Sequence, residues 1–293
     1  MRLRSKLTAQ FPIALLIPAL QLASSARAVA QESRVDALSA PSNLTARVVP
    51  DDTTKTFFVR PDLSMAAIAL AGTAMVSSFD KRIARYSQGT TFQGSSSRRS
   101  IVKKLTHINE TTLTAAAILG YASGRLARSG TIADVALHTG EALVLTSAVS
   151  QLIRGPLGRA RPSVSPDDPF HFQFGKGFTH FDNRAFPSLH SATAFAVAAA
   201  LSSEVHERNP NVSWIVSPLL FGAACIPGLT RIYLHQHWAS DVVAGAFVGT
   251  MLGTRVVHYA HTHQRTRIDR ALLGVSIFPD RHGGLDVPYS FER

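Results

Sequence analysis

Apolar residues recur with helical spacing in long alanine-rich stretches that begin at Leu63. This pattern predicts α-helices over residues 63–86, 111–128, 131–153, 189–206, 212–226 and 238–260. Clustered glycines and serines predict a loop over 88–100, and prolines, glycines and aromatic residues predict a loop over 163–186 that covers a site. The predicted fold is therefore all-α, a helical bundle of about six core helices.

The C-terminal pattern differs from the helical part. Residues 273–278 and 285–291 alternate apolar and polar positions and flank the pair Gly283–Gly284. Such a pattern predicts a small β-hairpin. Because two strands alone are marginally stable, the hairpin is expected to pack on the helical body.

The first thirty residues have the pattern of an export signal. A basic start is followed by an apolar segment over 11–23 and by Ala28-Val29-Ala30, a small-residue cleavage site. We expect a signal peptide over 1–30, with an uncleaved membrane anchor as the alternative. Cleavage lowers the net charge from +11 to +7, which still suits anionic substrates or anionic lipid surfaces.

The remaining boundaries follow from the change of pattern along the chain. Residues 31–62 are mixed and polar and are predicted to be a lead-in segment. The helical domain is expected over 63–262, and residues 263–293 form the tail with the hairpin.

The helices are compared with the requirement for a membrane span, which is about 20 apolar residues. Acidic and imidazole groups interrupt 131–153, and two prolines interrupt 212–229. A cleaved leader followed by six spans would also place the residues after the third helix on the cytoplasmic side. The sequence therefore favours an exported soluble or membrane-peripheral domain, periplasmic or otherwise extracytoplasmic. The alternative is an integral membrane protein with an extracytoplasmic active site.

Three other sequence features give little information about the function. The single cysteine, Cys225, forms no internal disulfide and is predicted to be a small core residue. Asp167–Asp168 is predicted to be a solvated turn, with a metal or substrate site as the alternative. No stretch has the pattern of a nucleic-acid-binding module, so nucleic acid is not an expected partner.

Three short motifs contain side chains suited to a phosphate ester. They are R-G-P-L-G-R-A-R-P at 154–162, F-P-S-L-H at 186–190 and T-R-I-Y-L-H-Q-H-W-A-S-D at 230–241. Phosphoryl transfer depends mainly on positioning and on neutralising charge around an anion. Arg154, Arg161 and Arg231 supply permanent charge with fork geometry, and Ser188 supplies a hydroxyl.

Two histidines in these motifs are suited to proton transfer or nucleophilic attack. His237 and Asp241 are four residues apart at the start of a predicted helix, so they share one face. A carboxylate there accepts from one imidazole nitrogen and leaves the other free to attack. His190 follows Ser188 at a helix opening, where free backbone N–H groups favour an anion.

The three motifs resemble the signature of the type 2 phosphatidic acid phosphatase (PAP2) superfamily. That superfamily also contains the bacterial class A acid phosphatases and the vanadium haloperoxidases, and its signature is K-x6-R-P, P-S-G-H and S-R-x5-H-x3-D. This chain departs from the signature at Arg154, Leu189 and Thr230, which replace lysine, glycine and serine. The usual glycine lets backbone approach the phosphate, so Leu189 indicates a narrower or more apolar pocket.

The resemblance implies a PAP2-like bundle and a role for each site residue. His237 would be the nucleophile that forms a phosphohistidine, Asp241 its orienting partner, and His190 the general acid and then base. The phosphate-binding residues would be Arg154, Arg161, Ser188, Leu189 and Arg231. Arg159 is expected to be a solvent-facing neighbour of this clamp, with a fourth phosphate contact as the alternative.

The expected function is hydrolysis of phosphomonoesters, including lipid phosphates or polyprenyl diphosphate, with no cofactor and no metal. His258, His261 and His263 are expected to form a polar helix terminus rather than a metal site. Expected partners are a phosphorylated small-molecule or lipid substrate and a membrane surface. Two alternatives remain: a vanadate-dependent haloperoxidase, and a non-catalytic anion- or lipid-binding relative.

Overall fold

A computed structural model describes residues 57–263 of the chain. Nine α-helices lie within these residues: α1 (Arg60–Ser77), α2 (Asp80–Gln88), α3 (Thr90–Gln93), α4 (Ser96–Leu105), α5 (Glu110–Leu126), α6 (Gly130–Leu157), α7 (Leu189–Arg208), α8 (Pro210–Tyr233) and α9 (Ala239–Thr262). The part of the chain that the structure describes contains no strand, so the all-α prediction is confirmed there. The predicted signal peptide and C-terminal hairpin lie outside these residues.

Helices α5, α6, α7 and α9 begin and end within four residues of their predicted bounds, whereas α8 ends seven residues later than predicted. The N-terminal part differs more from expectation. The single helix predicted over 63–86 is two helices, α1 and α2, bent by 54° at the break between them. The loop predicted over 88–100 is wrong, because α3 and α4 occupy it. The side chain of Ser95 accepts a hydrogen bond from the Arg98 amide and so caps α4. Serine is a preferred N-cap residue, so a serine in this segment also fits the start of a helix.

The bundle is closed by the pairing of α9 with α7, in which glycines replace larger side chains. A Cβ on Gly245 would overlap the carbonyl oxygen of Ser188, the N-cap of α7, and a Cβ on Gly249 would overlap that of Ala192 on α7. Small residues spaced four apart let two helices approach closely. Because α7 and α9 begin at residues 189 and 239, this contact brings their N-termini together.

Three described helices, α6, α8 and α9, are long and apolar enough to cross a membrane, and α1 with α2 adds a fourth if the bent pair is one span. The preference for a soluble or peripheral domain relied in part on the prolines of residues 212–229, which were expected to interrupt a helix. Pro218 and Pro227 lie inside one continuous helix, α8, and prolines are tolerated in membrane-spanning helices. Only 17% of the most apolar window of α8 is buried. By length and apolar composition, these helices indicate an integral membrane protein.

Of two further expectations, the one for Cys225 is corrected and the one for Asp167–Asp168 is confirmed. Cys225 was predicted to be a core residue, but it is exposed on α8. Its helix turns mainly apolar side chains outward, so an apolar neighbourhood in sequence did not indicate burial. Asp167 and Asp168 do form an exposed turn, in which Asp168 accepts from the Phe170 amide and Asp167 pairs with Arg85.

Candidate active site

The ends of four helices meet at one end of the bundle. α6 and α8 end there with Arg154 and Arg231 in their last turns, and α7 and α9 begin there. A helix N-terminus carries partial positive charge and free N–H groups. The arrangement therefore concentrates cationic groups and free donors on one side of the bundle.

Backbone hydrogen bonds join the three motifs directly. The Ser188 amide donates to the Asp241 carbonyl (2.9 Å), and the Ser163 amide donates to the His235 carbonyl (3.1 Å). The indole of Trp238, which is fully buried, donates to the Ala160 carbonyl (3.0 Å). These contacts fix the relative positions of segments that are far apart in sequence.

The predicted phosphate ligands are buried and only partly bonded. Arg154, Arg161 and Ser188 are each at most 5% exposed. Within the described part of the chain, six buried side-chain nitrogen or oxygen atoms have no hydrogen-bond partner. Four of them belong to this site: Nε of Arg154, Arg161 and Arg231, and Oγ of Ser188. Buried polar groups are normally paired, so these atoms mark a site for an external acceptor.

The remaining bonds of the guanidinium groups orient them. Arg154 Nη2 donates to the Arg184 carbonyl (2.7 Å), and Arg161 Nη1 donates to the Gln236 side chain. Burial lowers the pKa of Arg161 to about 10, so it stays positively charged at neutral pH. Gln236 and Arg184 were not identified from the sequence as part of this site.

His190 contacts the clamp and is neutral in the free site. Arg231 Nη2 lies 2.5 Å from His190 Nε2. Because arginine has only donors, Nε2 is the acceptor and carries no proton. Burial, and then the charges of Arg231, His237, Arg154 and Arg161, lower the pKa of His190 to about 3. Both histidines and the three arginines therefore share one electrostatic environment.

His237 is held by a backbone acceptor that the sequence did not predict. Its Nδ1 lies 2.7 Å from the Ala185 carbonyl but 3.7 Å from Asp241 Oδ2, which exceeds a hydrogen-bond length. Burial lowers the pKa of His237, so its ring is neutral at pH 7. With Nδ1–H donating to Ala185, Nε2 is the nitrogen with a free lone pair.

Asp241 is occupied by other partners. Oδ1 accepts from Arg159 Nη1 (2.6 Å) and Oδ2 from the Trp238 amide (2.7 Å), which caps α9. The prediction that Arg159 faces solvent is wrong, since it is 2% exposed. It also binds Asp80 on α2 through Nη2 (2.8 Å), and the two carboxylates compensate for burying its charge.

Leu189 fits this site without backbone strain. It is the first residue of α7 and is buried. Among the described residues with a side chain, only Arg128 and His235 have positive φ. The position usually held by glycine therefore needs no left-handed conformation here, and a leucine amide serves equally well.

The loop between the first two motifs carries exposed phenylalanines at the site. We define the aromatic rim as Phe170, Phe174, Phe178 and Phe181, which are 61–80% exposed. The ring of Phe181 lies 3.9 Å from the Arg161 guanidinium, and that of Phe178 lies close against Gly155. The rim thus adjoins the clamp directly, as predicted for a loop that covers a site.

Comparison with known proteins agrees with this description. The family model described as "PAP2 superfamily" matches residues 135–265. The resemblance to that superfamily predicted from the motifs is therefore confirmed over this segment.

Two curated relatives are lipid A phosphatases. The chain is 42% identical over 69 residues to a lipid A 1-phosphatase of Porphyromonas gingivalis, covering 24% of this chain and 15% of that one. It is 32% identical over 130 residues to a lipid A 4'-phosphatase of Bacteroides thetaiotaomicron, covering 41% and 52%. The chain thus spans about half or less of these relatives.

A solved structure, the transmembrane PAP2-type phosphatidylglycerolphosphate phosphatase of Bacillus subtilis, is also similar. Its TM-score is 0.49 at 19% identity, over 70% of this chain and 98% of that one.

Proposed function

We propose that this chain is a membrane-associated lipid phosphate phosphatase that works through a phosphohistidine at His237. One observation carries the proposal: three guanidinium groups and a serine hydroxyl, from separate segments, keep buried donors without protein partners beside two neutral imidazoles. A phosphate oxyanion supplies acceptors for those donors and negative charge for those cations. Arg154, Arg161, Arg231, Ser188 and the Leu189 amide hold it.

The first chemical step is attack by His237. The Nε2 lone pair forms a bond to phosphorus, and the bond from phosphorus to the leaving oxygen breaks with its electron pair. That oxygen takes a proton from His190. The phosphorylated ring, still protonated at Nδ1, gains positive charge, which the Ala185 carbonyl and the nearby Asp241 carboxylate stabilise.

The second step returns the enzyme to its starting state. His190, now neutral, accepts a proton from a water molecule that attacks phosphorus. The bond between phosphorus and Nε2 breaks, and its electron pair returns to His237. Inorganic phosphate leaves, and His190 keeps the proton for the next turnover or loses it to solvent.

Substrate binding prepares His190 for its role as an acid. In the free site burial and the surrounding cations lower its pKa to about 3. A phosphate dianion opposes the effect of those cations and raises that pKa, because an opposite charge favours the protonated form. Substrate also competes with His190 for Arg231, which frees Nε2 to hold the transferable proton.

A lipid substrate is supported by the surroundings of the site. The aromatic rim exposes apolar rings beside the phosphate clamp, and the ends of three candidate membrane spans lie at the same end of the bundle. Such rings favour the interface between water and acyl chains. Two of its relatives are named as phosphatases of lipid A, a lipid substrate. An exported, extracytoplasmic orientation of this end is part of the proposal.

The test compares His237→Ala with His258→Ala, a control on an exposed histidine of α9. In detergent, kcat for a lipid phosphate should fall roughly a thousandfold or more in the first variant and stay unchanged in the second. Rapid alkaline quenching of wild type with labelled substrate should trap phosphate on His237. EDTA should leave kcat/KM unchanged. Full turnover in His237→Ala would show that His237 is not the nucleophile.

A further inference from the structure

A cluster of three metal-binding side chains lies within the bundle, away from the phosphate site. We infer that His138 on α6, Glu204 on α7 and His261 on α9 form a site for a divalent transition metal, with zinc best suited. Each offers one ligand atom, and these atoms lie within 4.8 Å of one another. The proposal is independent of the proposed function.

The distances suit a tetrahedral ion with small adjustment. His261 Nε2 lies 3.2 Å from both oxygens of Glu204, and His138 Nδ1 lies 2.5 Å from Oε1. Ligand atoms about 2.0–2.2 Å from zinc are roughly 3.3–3.6 Å apart in a tetrahedron. The His261 distance already fits, and the His138 bond must lengthen by roughly 1 Å to admit the ion.

The donor set determines which ions fit. Two imidazole nitrogens and one carboxylate oxygen suit zinc and similar transition metals, whereas magnesium prefers oxygen ligands. Glu204 and His138 are 1% and 6% exposed, while His261 is on the exposed side of the cluster. The buried pair keeps the ligands in place, and the exposed one leaves an entry path and room for a water ligand.

A second layer of contacts holds the carboxylate. Arg208 Nε donates to Glu204 Oε2 (2.8 Å), and the same guanidinium lies 3.6 Å from Asp134. Oε2 is thereby fixed, which turns Oε1 toward the two histidines. Metal-binding carboxylates are commonly oriented by such hydrogen bonds.

The position of the cluster indicates a structural role. His138 precedes Arg154 by 16 residues on α6, and Glu204 follows His190 by 14 residues on α7. At 1.5 Å per residue these separations are about 24 and 21 Å. The ion therefore cannot touch a phosphate in the clamp. Because its ligands come from three helices, it would join them at the far end of the bundle.

The experiment uses the full chain, purified in detergent with any affinity tag removed and with metals stripped by EDTA and dialysis. Zinc chloride is titrated into wild type, His261→Gln and His258→Gln, and magnesium chloride is the ionic control. The readouts are Tm and bound zinc per chain. His261 is exposed, so its variant should fold, and His258 is an exposed histidine one turn earlier on the same helix.

Wild type and His258→Gln should bind one equivalent of zinc that His261→Gln does not bind. At a zinc concentration 100 times Kd, their Tm should rise by roughly 5–11 °C. The rise should be absent in His261→Gln and with magnesium. No zinc-dependent rise in wild type, or an equal rise in His261→Gln, would overturn the proposal.

Discussion

Arg159 shows how one side chain connects the catalytic segment to the rest of the molecule. It joins Asp241 on α9 to Asp80 on α2, and Ser240 also bonds both Arg159 and Asp80. Both oxygens of Asp241 have other partners, and Oδ2 lies 3.7 Å from His237 Nδ1, beyond hydrogen-bond length. Its influence on His237 is therefore electrostatic, while the Ala185 carbonyl sets the ring's orientation.

We expect Arg159→Gln to be strongly destabilising. Breaking a buried ion pair from one side leaves uncompensated charge, here on two carboxylates, at a cost of about 3–5 kcal/mol. Tm in detergent should fall by roughly 6–20 °C, and kcat should fall with it at temperatures where the variant is folded.

The matched control is Arg82→Gln, the same change at an exposed position of α2, which should shift Tm by less than 2 °C or so. A double variant with Asp80→Asn should lose less stability than the sum of the two single changes, since the partners share one network. Strict additivity would show that Asp80 and Arg159 do not interact.

The site residues that could be predicted are those whose side chains belong to the three sequence motifs. Arg154, Ser188, His190 and Arg231 lie together because their motif spacing places them at helix ends, and Arg161 lies in the loop that follows α6. The acceptor for His237 is a main-chain carbonyl, which has no signature in sequence. Asp80 has no fixed spacing to the motifs, and only packing of α2 against the site reveals it.

At the scale of elements, the long apolar helices were predicted to within a few residues at most of their ends. A long apolar stretch predicts a helix from its length and composition, whatever single residues interrupt it. The α1–α2 break and the short helices α3 and α4 were missed, since a four-residue helix has little periodicity and the break depends on the tertiary bend. The small residues on α9 gave no prediction of a helix contact from the sequence, yet they determine how closely α7 and α9 pack.

The contact between α7 and α9 makes Gly249 sensitive to a single methyl group. A Cβ there would overlap the Ala192 carbonyl, so Gly249→Ala must push the two helices apart, which costs about 1–3 kcal/mol. Since α7 and α9 carry His190 and Asp241, we expect both Tm and kcat to fall. Thermal unfolding and turnover in detergent measure the two effects.

Gly222→Ala is the control for this change. Apart from its own helix backbone and chain neighbours, no atom of the described residues lies within 4 Å of a Cβ at that position on α8. Alanine in an unhindered helix interior is more favourable than glycine by about 0.5–1 kcal/mol. The same substitution should therefore leave Tm equal or higher there; equal responses at the two glycines would contradict the packing argument.

At the scale of the whole molecule, the phosphate clamp and the proposed metal cluster occupy opposite ends of the bundle. Three candidate spans run between them. A bilayer around these helices would place the clamp and the aromatic rim together near one surface. Interrupting residues in sequence argued against spans, but a helix tolerates them when its outward face stays apolar.

The position of the rim predicts a difference between lipid and soluble substrates. Phe170 and Phe174 are exposed, and within the described residues no cation–π contact joins either ring to a clamp arginine. If they enter the interface beside the substrate's acyl chains, the double change Phe170→Ser, Phe174→Ser loses that apolar contact. Each ring contributes up to about 1.5–3 kcal/mol when fully buried. We expect kcat/KM for a lipid phosphate in mixed micelles to fall at least about tenfold.

A water-soluble aryl phosphate needs only the clamp and the two histidines, so its kcat/KM should stay within about twofold. Trp214→Ser provides the comparison, because Trp214 is equally exposed but lies roughly 28 Å along α8 from Tyr233, at the end remote from the clamp. That variant should hydrolyse both substrates as wild type does. An equal loss on both substrates in the double variant would mean that the rings support the fold of the loop. No loss on either would mean that the rim does not meet the lipid.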